Sequence, residues 1–164
     1  MTLKPWHDVA LRQWLQDCNY PSDKESRDKV TAVTGNWPGL IYSFYRNSKS
    51  DVHNWELHLE GLKESFNNWQ EARDFINLQL GIDSYEQKKV LRDLAQLCQM
   101  SPDDIVSIDD LIDCINHINA SVINKILQWA DLLNLAIPVR KKKDPKEYWR
   151  IEPVVGRILE AMED

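Results

Sequence analysis

Few side chains in this sequence are spaced for chemistry. No Gly-x-x-x-x-Gly-Lys-Ser/Thr loop is present, so the chain lacks a phosphate cradle of that kind. It also has no dinucleotide fingerprint, no zinc spacing and no nucleophile set beside a base. His7, His53, His58 and His117 do not cluster by spacing, and each reads as a surface or partly buried side chain. The paired carboxylates Asp103/Asp104 and Asp109/Asp110 are adjacent. Helical neighbours face each other three or four residues apart, so these pairs read as caps and solvated charges. Cys18, Cys98 and Cys114 are odd in number and widely separated. They predict reduced thiols, packed as small apolar residues, in a cytoplasmic protein. Catalysis by this chain alone is not expected. Binding is what remains. Arg140, Lys141, Lys142, Lys143 and Lys146 form a basic run that could meet phosphates or an acidic surface. Ser121, Asn124, Lys125 and Gln128 form a polar set. Within it, Asn and Gln can read adenine edges, and Lys can reach phosphate or guanine.

The elements that must position these residues are mainly helical. An apolar content of 43% is enough for a packed core, while five glycines and seven prolines leave little room for a turn-rich all-β fold. The net charge of −6 argues against general coating of nucleic acid but allows a local basic patch. No apolar run is long enough to span a membrane, and no signal-peptide pattern appears. At 164 residues the chain can hold one medium domain or two small ones. The pattern predicts two: a helical bundle with its connecting helix over 1–83, and a second unit over 84–164, with a soft boundary between Phe66 and Ser84.

In the first unit, Leu3-Lys4-Pro5-Trp6 is an extended lead-in to a helix whose expected inner face is Val9, Leu11, Trp14 and Leu15. Ser22 or Asp23 caps the next helix, with Val30 and Val33 inward, ending at Gly35. Gly35 and Asn36 tolerate positive φ, and Pro38 can open a helix. The stretch Thr34-Gly35-Asn36-Trp37-Pro38-Gly39-Leu40-Ile41 is therefore helix, tight turn, helix. A third helix to about Asn47 and a fourth over 52–66, with Trp55, Leu59 and Leu62 inward, complete the bundle. The connecting helix, about 67–83, turns Trp69, Ala72, Phe75, Ile76 and Leu80 inward and ends at Gly81. In the second unit, Ser84 and Gln87 form a capping box before Val90, Leu91, Leu94 and Leu97. Ser107 caps a helix with Ile108, Leu111, Ile112 and Ile115 inward, and Asn119 starts another with Val122, Ile126, Trp129, Ala130 and Leu133 inward. The strand-like segments Ile137–Val139 and Tyr148–Ile151 then flank the basic run as one β-hairpin, and Pro153 opens a last helix. Three helices followed by a hairpin is the order of a winged helix-turn-helix, with the polar set on its recognition helix and the basic run on its wing.

The turn at Gly35-Asn36-Trp37-Pro38 resembles the Gly-Gly-x-Pro turn in the lid of P-loop ATPases of the AAA+ and signal-transduction (STAND) type. Asn36 stands in place of the second glycine, and asparagine also adopts the left-handed conformation. The lead-in at Leu3 to Pro5 and the segment Ala136 to Leu159 are similar to the lid's start and to the winged helix that follows such lids. The resemblance implies that residue 1 is a cut point within a longer protein. It also implies an ATPase core elsewhere in that native chain, with ATP bound there and Gly35, Asn36, Trp37 and Pro38 beside it. This chain itself would need no cofactor.

Alternatives stay open from sequence. Trp37 either stacks on adenine or fills the bundle core. The wing either binds DNA, or meets a protein partner or a second copy, or is a solvated tip. The acidic stretch from Asp103 to Asp113 and Asp131 count against DNA unless the wing faces away from them. The expected function is a non-catalytic regulatory region of a P-loop ATPase that couples nucleotide state to a protein or DNA partner. The alternative is a free-standing winged-helix DNA-binding regulator. No membrane partner is expected.

Overall fold

Several helix starts in this protein sit where a local side chain satisfies a free backbone N–H of the first turn. A computed structural model describes residues 4–162; Leu3 of the lead-in and the side chain of Trp69 lie outside the described residues. Helix α1 spans Asp8–Asp17. Helix α2 spans Lys24–Thr34 and is capped by Asp23, whose carboxylate accepts from Ser26 N at 3.1 Å and Ser26 Oγ at 2.7 Å. Helix α3, Pro38–Ser48, opens on proline. A 3₁₀ turn at Val52–Asn54 leads into α4, Trp55–Ser65.

The expected connecting helix is shorter and interrupted. It is α5, Trp69–Asp74, followed by a π-helical segment, Phe75–Gln79, with Gly81 at φ 71° beyond it. Helix α6, Tyr85–Met100, has both halves of the Ser84/Gln87 capping box. Strand β1 (Val106–Ser107), α7 (Ile108–Cys114) and α8 (Ala120–Leu132) follow. Strands β2 (Ala136–Val139) and β3 (Tyr148–Ile151) form the hairpin, and α9 (Pro153–Ala161) closes the chain.

The protein is thus mainly helical with a small three-stranded antiparallel sheet, in the order β1-β3-β2. Ala136 pairs with Ile151 and Val139 with Tyr148, while Val106 pairs with Trp149 on the other side. The sequence predicts only the hairpin. A strand of two residues is too short to show a period of two.

In the first four helices an aromatic cluster fills the centre: Trp14 stacks on Tyr20 at 5.7 Å, and Tyr20 meets Phe44 at 5.3 Å. The buried Tyr20 hydroxyl pairs with Ser48 Oγ at 2.7 Å. Farther on, α6 buries Val90, Leu91 and Leu94 in its packing with α9, which buries Val155, Ile158 and Leu159.

Three expected inward positions differ. Val9 is 78% exposed, because it lies on the opposite side of α1 from Leu11 and Leu15. On α8 the buried face is turned toward Ile123 and Leu127, which leaves Val122 exposed. Cys114 is exposed, whereas Cys98 is buried and its thiol pushed up by burial.

Candidate functional site

The last turn of α2 shows how the 34–41 stretch is held. An α-helix leaves its final four carbonyls without helical partners. Here Thr31 O accepts from Gly35 N at 2.8 Å, and Thr34 O accepts from Trp37 N at 3.0 Å. The other two are met from the far end of the chain: Arg157 Nη1 donates to Ala32 O at 3.1 Å and Nη2 to Val33 O at 2.9 Å. A guanidinium at this position also sits at the negative end of the helix dipole.

The turn itself takes left-handed φ at Gly35 (55°) and Asn36 (60°). A side chain at Gly35 would also be crowded by its neighbours. A Cβ there would lie 3.0 Å from Glu152 Oε1 and 3.1 Å from Val154 Cγ2, so α9 rests directly on the turn. Asn36 adds a side-chain bond that a glycine at this position could not make. Its amide donates to Trp6 O at 3.3 Å while its own carbonyl accepts from Trp6 N at 2.8 Å, which fastens the lead-in segment to the turn. Thr31 Oγ1 donates to Asn36 Oδ1 at 2.9 Å.

Trp37 is 2% exposed and packs within the core of this chain, which is one of the two roles the sequence allows it. Its indole N–H points at Glu152 Oε2, 3.4 Å away. Pro38 is half-buried. Glu152 is also the N-cap of α9, accepting from Val155 N at 2.8 Å. Burial raises the Glu152 carboxyl above its ordinary range, against the lowering effect of the backbone N–H groups and the indole. Burial likewise lowers the Arg157 guanidinium, against the carboxylates of Glu152 and Glu60.

Sequence reasoning missed both residues. Glutamate is not a favoured N-cap, and an arginine on an apolar helix reads as a solvated charge. The available signal was a charge at each end of Glu152-Pro153-Val154-Val155-Gly156-Arg157, an otherwise apolar run.

On α8, Ser121, Lys125 and Gln128 are exposed along one face, with Leu132 farther along and 69% exposed. Asn124 is half-buried, and its amide donates to Ala120 O at 3.0 Å, so it is less free than its neighbours to meet a partner. In the hairpin, Arg140, Lys141, Lys142, Lys143 and Lys146 are all exposed. They are not equivalent. Lys141 Nζ lies 3.1 Å from Asp103 Oδ2 and 4.4 Å from the centre of the Tyr148 ring, so it braces the hairpin against the loop before β1. Asp144 accepts from Lys146 N at 2.9 Å and from Tyr148 Oη at 2.7 Å, which sets the turn. These bonds hold the Asp144 carboxyl below its ordinary range, as the bonds from Ser101 and Lys141 do for Asp103. Arg140, Lys142, Lys143 and Lys146 have no carboxylate at ion-pair distance among the described residues.

No protein-family model, curated protein or solved structure matches this chain. Its functional reading rests on the geometry above.

Proposed function

We propose that this chain is the non-catalytic regulatory region of a P-loop ATPase. It couples the nucleotide state of a core elsewhere in the native protein to a partner held by a winged helix. The observation that carries this reading is the joint between the Gly35–Pro38 turn and α9: Glu152 and Arg157 reach the turn and the end of α2 from the far end of the chain. A shift of the turn would be felt first at α9, which packs on α6 and follows directly from β3. The element order from α6 to α9, with its small sheet, suits a winged helix. With Trp37 buried in this chain, Pro38 and the Gly35 backbone are the parts of the turn left to approach a nucleotide. The test is the intact mass of the native protein together with its upstream sequence. A mass well above 19.2 kDa with a phosphate-binding loop upstream is expected; a native mass near 19.2 kDa overturns the reading.

A second reading, a free-standing DNA-binding regulator, is favoured by the four exposed hairpin cations that have no carboxylate at ion-pair distance among the described residues. Each phosphate neutralised on a duplex contributes about 0.9 to the slope of log affinity against log salt. Replacing Arg140, Lys142, Lys143 and Lys146 with alanine should then flatten that slope by about 3 to 4. No duplex binding at low salt removes DNA as the partner and leaves a protein surface.

A further inference from the structure

We infer that the protein is built as two bodies, α1–α4 and α5–α9, joined by a hinge at Phe66–Asn68 and closed by a latch made of Glu152 and Arg157. The inference needs only this chain, so it stands apart from the ATPase reading. Four observations support it.

The largest helix–helix contact between the two groups is α2 on α9, at the latch. Helix α5 and the π segment, grouped by sequence with the first bundle, lie against α9, and the π segment also touches α3, where Gln79 packs on Gly39. At the hinge, Asn67 and Asn68 are exposed, and the ring of Phe66 meets that of Phe75 at 5.6 Å, a contact on which the bodies can pivot. Between hinge and latch the bodies do not close fully. A cleft of about 250 Å³ is lined by Glu60, Lys63, Glu64, Phe66, Asn67 and Arg157, among others.

The chemistry of the latch suits release. Its two charged groups are half-buried and each carries a desolvation cost. Their hydrogen-bond partners across the joint are neutral, two carbonyls and an indole N–H, while the Glu60 carboxylate of α4 acts on Arg157 from the other side of the cleft. Water can replace such partners when the joint opens, so the opened form is not left with orphaned polar groups. A purely apolar seam would lack that compensation. The latch is also concentrated, because one of its residues caps a short helix and the other lies in that helix.

Native-state hydrogen exchange of the unaltered chain tests this. The amides of Gly35 and Trp37 are bonded within the first body, to Thr31 O and Thr34 O, and that of Val155 within the second, to Glu152, so the proton that reports the joint is the Trp37 indole N–H, donated across it to Glu152. The amides of Leu91 and Leu94 lie inside α6. The indole proton should be at least tenfold less protected than the α6 amides in the absence of denaturant, through an opening that exposes less surface than global unfolding. Arg157→Ala should lower its protection tenfold or more again, while amides inside α6 and α8 keep their rates. Glu152→Gln, which retains an acceptor for Trp37 and Val155, should leave the latch closed. The latch is overturned if the indole proton and the α6 amides share one opening in the unaltered chain. It is equally overturned if Arg157→Ala changes all rates together or none.

Discussion

Glu152 accepts bonds from both halves of the molecule, the indole of Trp37 and the backbone N–H of Val155. Removing it with alanine discards a helix cap and leaves a buried indole N–H unpaired, at a cost of about 2 kcal/mol. Glutamine keeps the acceptor and removes the charge, so its cost at neutral pH should stay within about 1 kcal/mol of zero. The sign with pH follows from the raised carboxyl. The folded state holds the Glu152 proton more tightly than the unfolded chain, whose ordinary value is 4.5. Burial of the charged form therefore opposes folding at high pH, and this opposition fades as pH falls through the raised folded value. Denaturant unfolding of the unaltered protein and Glu152→Gln should show the unaltered protein gaining relative stability between neutral pH and the unfolded value. A difference that moves the other way would mean that the carboxylate is held by attraction rather than penalised by burial.

At the scale of elements, the hairpin has the opposite response to acid. Asp103 and Asp144 are both held below their ordinary range by hydrogen bonds, and Asp103 by the Lys141 ammonium too. The order they lend the hairpin is present above the unfolded carboxylate value and is lost as pH falls through the lowered folded values. Lys141→Ala should loosen the same contacts at neutral pH. Amide exchange across Val139 and Tyr148 should rise, while the melting temperature barely moves, since an exposed ion pair contributes little to global stability. Exchange unchanged in both Lys141→Ala and acid would show that strand pairing alone orders the hairpin.

Element ends were legible in the sequence where the deciding group is local. Asp23, Ser84 with Gln87, Ser107 and Asn119 each cap a helix within three residues of themselves, and Gly35 ends one by its own φ. The basic hairpin was legible for the same reason. Strand β1 was not, because Val106 and Ser107 become a strand only through Trp149 and Tyr148. The site was legible by half. The turn showed in its residue types, but Glu152 and Arg157 lie 115 to 125 residues from the partners that give them meaning.

At the scale of the whole molecule, the two bodies are unequal. The first four helices end by Ser65, and a group of that size buries too little surface to be more than marginally stable alone. It therefore draws part of its stability from α9, through the polar bonds of the latch and the packing of Val154 on the turn. The second body has its own sheet and the α6–α9 core and depends less on the first. Breaking the latch should thus separate their melting. Arg157→Ala leaves the Ala32 and Val33 carbonyls without their donors, a loss of roughly 1–3 kcal/mol where they remain shielded from water. For a body of this size, each kcal/mol lowers the melting temperature by about 4–8 °C. Calorimetry of the unaltered chain should show one transition. In Arg157→Ala a lower-temperature transition of the first body should precede that of the second, identified by loss of the Tyr20 and Trp14 aromatic signals before those of Trp149. One undivided transition, shifted as a whole, would mean that α9 is an ordinary part of a single cooperative core and that nothing at the turn can be passed on by its release.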